Sequence, residues 1–246
     1  DKRCGNIIAI SGFLYEHYRN QGCNVIRLPP LVYDFADKDQ VFRDRDAVKL
    51  RQVKLVFAGT TDFKDYLEPM LKAIRKINNN EIKIIFDVVG PSPDAIESML
   101  ECSSPTQYGI NCYGRLSHEN TLSIVRKADF SVLMRENKRY AKAGVSTKFV
   151  EAMSLAVPSI CTAVGVTDAF VTDGVDGVLI KDNSVHEVLD KLMQIVNMDS
   201  SEILQMKLNA LNTAKQVFSE GQYYNVAKCF LEGEGFDSQN KEEAKL

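Results

Sequence analysis

From Val53 to Ile180, short β-branched runs alternate with segments of helical spacing. No other feature restricts the fold as tightly. Val53–Ala58 reads as a strand ending at Gly59. Beyond it, Leu67, Met70, Leu71, Ile74 and Ile77 recur at the spacing of one helical face. Lys83–Val89 predicts the next strand, closed by Gly90-Pro91, and Ser92 caps a helix with Pro93 at its first position. Ile110–Tyr113 predicts a strand before Gly114, and Ser117 caps a helix to about Ala128. Phe130–Met134 is a further strand, followed by a loop to Ser146 and a helix to about Leu155. Ser159–Thr162 and Gly177–Ile180 complete the strands, and about Val185 to Leu231 is helical. Strands and helices alternating through short connections require a parallel sheet covered on both faces. Right-handed crossovers make that a doubly wound, Rossmann-like α/β fold. Ligands of such folds sit at the carboxyl ends of strands, beside helix N-termini. The loops after the strands are therefore where chemistry is expected.

The leading segment is separate. Asn6–Ile10 predicts a strand, Ser11–Asn20 a helix, and Asn24–Leu28 a strand stopped by Pro29-Pro30. Residues 33–51 are polar and charged without periodicity, which reads as a linker or surface loop. Three parts result: residues 1–52 as a leading segment and linker, 53–232 as the Rossmann-like domain, and 233–246 as a charged, frayed tail. A hydrophobic fraction of 45% supports a packed core. The net charge of −3 gives no global basic field for nucleic acid or anionic lipid. None of Cys4, Cys23, Cys102, Cys112, Cys161 and Cys229 forms a C-x-x-C pair, so metal-site spacing is absent. They read as reduced core residues of a cytoplasmic protein. No apolar run approaches the roughly 20 residues that span a bilayer. The start is unlike a signal peptide and lacks an initiator methionine, which points to a piece of a longer chain.

Three loops can carry chemistry. In Gly59-Thr60-Thr61-Asp62-Phe63-Lys64, Asp65 and Glu68 have the spacing of a capping box, which predicts a helix from about Tyr66. Lys64 then stands ahead of a helix N-terminus, where backbone N–H groups and the dipole favour a diphosphate. The same residues also fit a solvated lysine in an ordinary turn. The second loop holds Arg135, Lys138, Arg139, Lys142 and Lys148. There Gly144 relieves the backbone, Ser146 or Thr147 caps the next helix, and the amides from Gly144 through Val145 and Ser146 to Thr147 can cradle a phosphate or sugar oxygen. Glu151 lies one turn further, where a carboxylate can accept two hydrogen bonds from a ribose diol. A charged surface loop with a solvent-facing glutamate explains the composition equally well. The third loop, Tyr113–Glu119, offers backbone groups and Arg115 to a base, with His118 read as a surface residue. Neither a Ser-His-Asp arrangement nor a paired-carboxylate site is present.

Residues 142–153 (KAGVSTKFVEAM), then Val157-Pro158-Ser159-Ile160, then Asp173-Gly174-Val175-Asp176-Gly177 resemble the group 1 (family 4) retaining glycosyltransferases. The resemblance covers about residues 5–232 and implies the C-terminal lobe of a two-domain GT-B fold. Residues 10–32 resemble that family's interdomain crossing, which implies an N-terminal lobe upstream. The resemblance also implies a nucleoside diphosphate sugar as donor, no metal and no further cofactor. It implies an acceptor, sugar or lipid-linked, on the other lobe, in the cytoplasm or at the inner face of a membrane. By resemblance Glu151 holds the ribose hydroxyls and Lys64 grips the diphosphate, with Gly59, Gly144 and the amides to Thr147 around the diphosphate and sugar. Two positions depart from the pattern. Thr60 stands where an arginine is usual, and Ala143 stands where the first glutamate of E-x7-E falls; a subgroup with Lys-Ala-Gly-x-x-Thr-Lys-Phe shares the second departure. A non-catalytic nucleotide-binding module and a GT-B nucleotide-sugar epimerase are the alternatives. Exposed apolar surface is expected on Phe13, Leu14 and the helix near Tyr223–Leu231, where the other lobe packs.

Overall fold

The computed structural model describes residues 5–43, 52–60 and 65–233. The leading segment is a βαβ unit, with β1 (Asn6–Ala9) and β2 (Asn24–Arg27) paired in parallel and α1 (Gly12–Arg19) between them. Ser11 caps α1 as its type favours, its hydroxyl accepting the Leu14 N–H. Part of the stretch read as an irregular linker is helical: α2 spans Lys38–Arg43. Val41 there is buried against Ala156, Leu204 and Leu211, so a tertiary contact, not periodicity, orders this turn.

Six parallel strands form the main sheet in the order β5-β4-β3-β6-β7-β8. They are β3 (Val53–Ala58), β4 (Ile84–Val89), β5 (Ile110–Gly114), β6 (Phe130–Leu133), β7 (Ser159–Thr162) and β8 (Gly177–Ile180). The chain builds outward from β3 to one edge, then returns to the other side of β3 with β6. This is the doubly wound order, and its switch point lies between β3 and β6. Register follows side-chain alternation. Leu55 and Phe57 pack toward α3 (Glu68–Ile77), α4 (Pro93–Leu100) and α9 (Val185–Val196). Val56 faces the opposite way, toward α5 (His118–Val125) and α7 (Thr147–Ser154). Both faces are thus covered, which is why the strands read as continuous apolar runs.

The remaining helices fasten the edges. The helix α6 (Arg139–Ala143) lies in the stretch expected to be a loop before Ser146, and α8 (Val166–Phe170) follows β7. Each has five residues, too few to show a helical period. A capping box of Asp199 and Glu202 opens α10 (Ser200–Val217), which packs on α7. Phe218 beyond it meets Phe149 and Phe170 edge-to-face at 6.2 and 5.3 Å, and its carbonyl accepts the Val32 N–H. The last described helix, α11 (Tyr224–Glu232), sets Val226 and Phe230 against Ile26 of β2. The expected tail lies beyond Gly233, outside the described residues.

Two expectations are corrected. Among the described cysteines only Cys161 is buried, and Cys23, Cys102, Cys112 and Cys229 are half-buried free thiols. Burial pushes the Cys161 thiol up to about 12, so it packs and does not react. Asp65 and Glu68 form no capping box: α3 begins at Glu68, Leu67 is its N-cap, and no side chain caps it. Asp65 is instead drawn into the interior by two cations. No described helix is long and apolar enough to cross a membrane.

Candidate functional site

Three glycines end adjacent strands. Gly59 follows β3, Gly90 follows β4 and Gly114 closes β5. The Gly59 N–H donates to Val89 O at 2.9 Å and the Gly90 N–H to Gly114 O at 2.7 Å, so they form one hydrogen-bonded rim. Gly90 has φ +115, and a Cβ there would stand 1.7 Å from the Gly59 carbonyl oxygen. The glycines thus add no side chain of their own to this part of the carboxyl edge, and Gly90 is required by the close approach of the Gly59 backbone.

At the switch point, Asp65 carries its carboxylate inside with a side chain only 3% exposed. Arg135, just past β6, donates from Nε to Oδ1 at 3.1 Å. Lys148, the second residue of α7, donates from Nζ to Oδ2 at 2.8 Å. Helical side chains lean toward the N-terminus, so Lys148 reaches back past the helix start. Its ammonium lies over the Phe57 ring, 5.7 Å from the centroid, and 2.1 Å from where a Gly59 Cβ would be. Arg135 is held at its backbone too: its N–H donates to Thr162 Oγ1, and its carbonyl accepts from the same hydroxyl.

One turn along α7 from Lys148, Glu151 faces a cleft of about 320 Å³. Thr147, Val150 and Leu155 of α7, His118 and Leu122 of α5, and Pro30–Asp34 also line it. His118 Nε2 lies 3.8 Å from Glu151 Oε1. At the far end Arg126 pairs with Asp34 at 3.4 Å. The volume is in the range of small-molecule pockets, about 300 to 1,000 Å³. A separate cavity of about 10 Å³, the size of one water, is lined by Arg135, Gly144, Ser146, Thr162 and Thr167.

Residues 52–198, more than half of the chain, match the family described as Glycosyl transferases group 1. The chain belongs to the group 1 glycosyltransferases. An uncharacterized glycosyltransferase of Methanocaldococcus jannaschii is 23% identical over 228 residues, spanning 89% of this chain and 56% of that relative. The chain therefore covers little more than half of the relative's length. The fold is shared with GT-B glycosyltransferases. The pneumococcal O-GlcNAc transferase GtfA, solved with UDP and GlcNAc, superposes with a TM-score of 0.72 at 15% identity over 93% of this chain and 45% of its own. HepE of Anabaena, solved with UDP and glucose, gives 0.68 at 14% identity over 93% and 63%.

Within this member of the group 1 glycosyltransferase family the expected site residues separate into groups. Thr147 and Glu151 come together at the cleft, joined by His118, which the sequence suggested to be surface and whose side chain is 70% exposed. Gly59 lies beneath Lys148, and Thr60 is exposed beside it. Lys64 falls outside the described residues. Val145 is half-buried and packs against the cluster around Phe149 and Phe218. Arg115 is exposed at the end of the edge strand and lines neither cavity.

Two local expectations change. Gly144 has φ −101 and ψ 148, ordinary extended backbone, and its N–H donates to Tyr140 O at 3.0 Å, so it neither relieves strain nor offers that amide to a ligand. Ser146 is the N-cap of α7, but its hydroxyl caps nothing; it is buried, with no hydrogen-bond partner among the described residues. The Asp-Gly-x-x-Gly turn is structural. Asp176 accepts the Thr172 N–H and the Thr213 hydroxyl, each at 2.7 Å, and Asp173 accepts the Leu179 N–H at 2.8 Å. The sequence did not point to Asp65 as a buried carboxylate or to Gly90 as part of the rim. A glycine at the end of each of three successive strands was the available signal for the second.

Proposed function

We propose that this chain is the donor-binding lobe of a retaining, family 4 glycosyltransferase that takes its sugar from a nucleoside diphosphate sugar. The observation that carries this reading is the placement of Glu151 in the cleft, one turn from the cationic group at the switch point. That order suits a ribose held by Glu151 with its 5′-diphosphate directed toward Gly59 and the start of α7. Negative charge grows on the leaving diphosphate in the transition state. A preorganised cation and first-turn amides, which have no intrahelical acceptor, stabilise it there. The UDP in the solved GtfA and HepE complexes is consistent with such a ligand. A metal or further cofactor has no role in this reading, and Arg115, the sequence's candidate for the base, stands off the cleft at the end of the edge strand β5.

The acceptor is held by a second lobe, for which the greater length of the relative leaves room. Apolar surface supports this. Ile8, Ile10 and Phe13 are 46, 41 and 39% exposed, as are Tyr224 and Leu231 of α11 at 61 and 74%. Leu14 is half-buried and Tyr223 is buried, so the expected patch is narrower than the sequence suggested. The reading places the enzyme in the cytoplasm or at the inner face of a membrane, on a sugar or lipid-linked acceptor. Ala143 and Thr60, which depart from the family pattern, favour a non-catalytic nucleotide-binding module as the second reading. Its carbonyl held by the Ser11 hydroxyl at 2.7 Å, Ala143 ties the leading segment to this loop.

Calorimetric titration with UDP, GDP and ADP tests the reading. One nucleotide should bind selectively, and Glu151→Ala should weaken it about 10- to 100-fold, the effect of losing charge-assisted hydrogen bonds. If none of the three binds, the donor-site reading fails.

A further inference from the structure

Among the described residues, the Asp65 cluster sets two cations against one carboxylate: Arg135 and Lys148 both contact Asp65, which leaves one excess positive charge there. The two cations are not equivalent. Arg135 has a side chain 16% exposed and a backbone pinned on both sides by Thr162, so it is the fixed partner. Lys148 is 38% exposed, on a flexible stem, and its ammonium covers Gly59. It can turn from Asp65 without leaving that carboxylate unpaired. Thr60 puts a neutral side chain beside the same glycine.

We infer that Lys148 supplies the cation that holds the donor diphosphate, with Asp65 as the residue that positions it over Gly59 until the ligand arrives. This rests on the donor-lobe reading above. Lys148 and Glu151 are three residues apart, on neighbouring positions of one helix side and about 4.5 Å apart along its axis. The fixed guanidinium of Arg135 keeps the Asp65 carboxylate paired and inside while Lys148 exchanges one anionic partner for another. No proton or covalent bond moves; the step is an exchange of ion-pair partners.

Matched titrations separate this assignment from the donor-site reading. The probes are UDP, GDP and ADP beside uridine, guanosine and adenosine. For the nucleotide that binds, Lys148→Met should weaken the diphosphate about 10- to 100-fold and leave the nucleoside within twofold. Lys148→Arg should restore most of the loss. Glu151→Ala should weaken nucleotide and nucleoside alike. If Lys148→Met binds the diphosphate like the parent chain, the assignment is overturned and the donor-site reading stands. If the parent chain binds none of the probes, both are overturned. Thermal unfolding of each variant monitors the fold. Should Lys148→Met not fold, the unsubstituted chain answers through lysine acylation mapped by mass spectrometry. The nucleotide that binds and inorganic pyrophosphate should protect Lys148 and the matching nucleoside should not; equal labelling with and without pyrophosphate and that nucleotide overturns the assignment.

Discussion

Alanine in place of Gly90 is expected to destabilise the fold by about 3 to 5 kcal/mol, the sum of backbone strain and steric overlap. Two costs combine. At φ +115 an L side chain is strained whatever space surrounds it. The space is also occupied, because the added Cβ would stand 1.7 Å from the Gly59 carbonyl oxygen. The obstacle is backbone, so no side chain can turn aside. To make room, β3 and β4 must separate at the rim, which carries Gly59 away from Lys148 and Asp65. Urea unfolding of parent and variant measures the first effect. The nucleotide titration, repeated on whatever fraction remains folded, measures the second. A stability loss below about 1 kcal/mol, less than the backbone strain alone should cost, would contradict the close approach.

Asn78→Ala should cost a similar amount, about 3 to 5 kcal/mol, for four lost hydrogen bonds at a buried site. Asn78 ends α3 and is 2% exposed. Its Nδ2 donates to Ile84 O and Tyr108 O, each at 2.7 Å, and its Oδ1 accepts from Lys83 N at 3.0 Å and Ile84 N at 3.1 Å. One amide thus uses both donor hydrogens and both acceptor lone pairs. It joins the end of α3, the start of β4 and the turn before β5. Alanine leaves those backbone groups without partners in the interior. Asn78→Asp should be no milder, because it keeps the acceptors but sets a carboxylate against two carbonyl oxygens. Denaturant titration of the two variants decides the matter. Asn78→Asp closer to the parent than Asn78→Ala would show that the donated bonds matter little.

These two sites bear differently on what a reader of the sequence could see. Gly90 was visible as punctuation after a strand run, yet its contact with Gly59 joins residues from two separate loops. Asn78 carried no signal, since an asparagine after a helix is an ordinary C-terminal residue. The place of Glu151 one turn into α7 was legible from helical spacing, whereas the cleft that it lines was not. The clustering of Asp65, Arg135 and Lys148 was not. The spacing of Asp65 and Glu68 matched a capping box, a local interaction. The structure instead satisfies Asp65 with cations 70 and 83 positions further along the chain.

The linear pattern was enough for the α/β class, the parallel sheet and most strand limits, because alternation and periodicity express which faces are buried. Ser92 and Ser117 were readable as caps for a related reason: a cap bonds within three residues of itself, and each does so here. Short helices such as α6 and α8, and the turn at Val41, required the folded chain, since their order comes from partners distant in sequence. The same holds for the cation over Gly59. Which two of the five basic residues meet the buried carboxylate depends on how β6 and α7 dock against the loop after β3. Long-range electrostatics and packing set that docking, and neither leaves a period in the sequence.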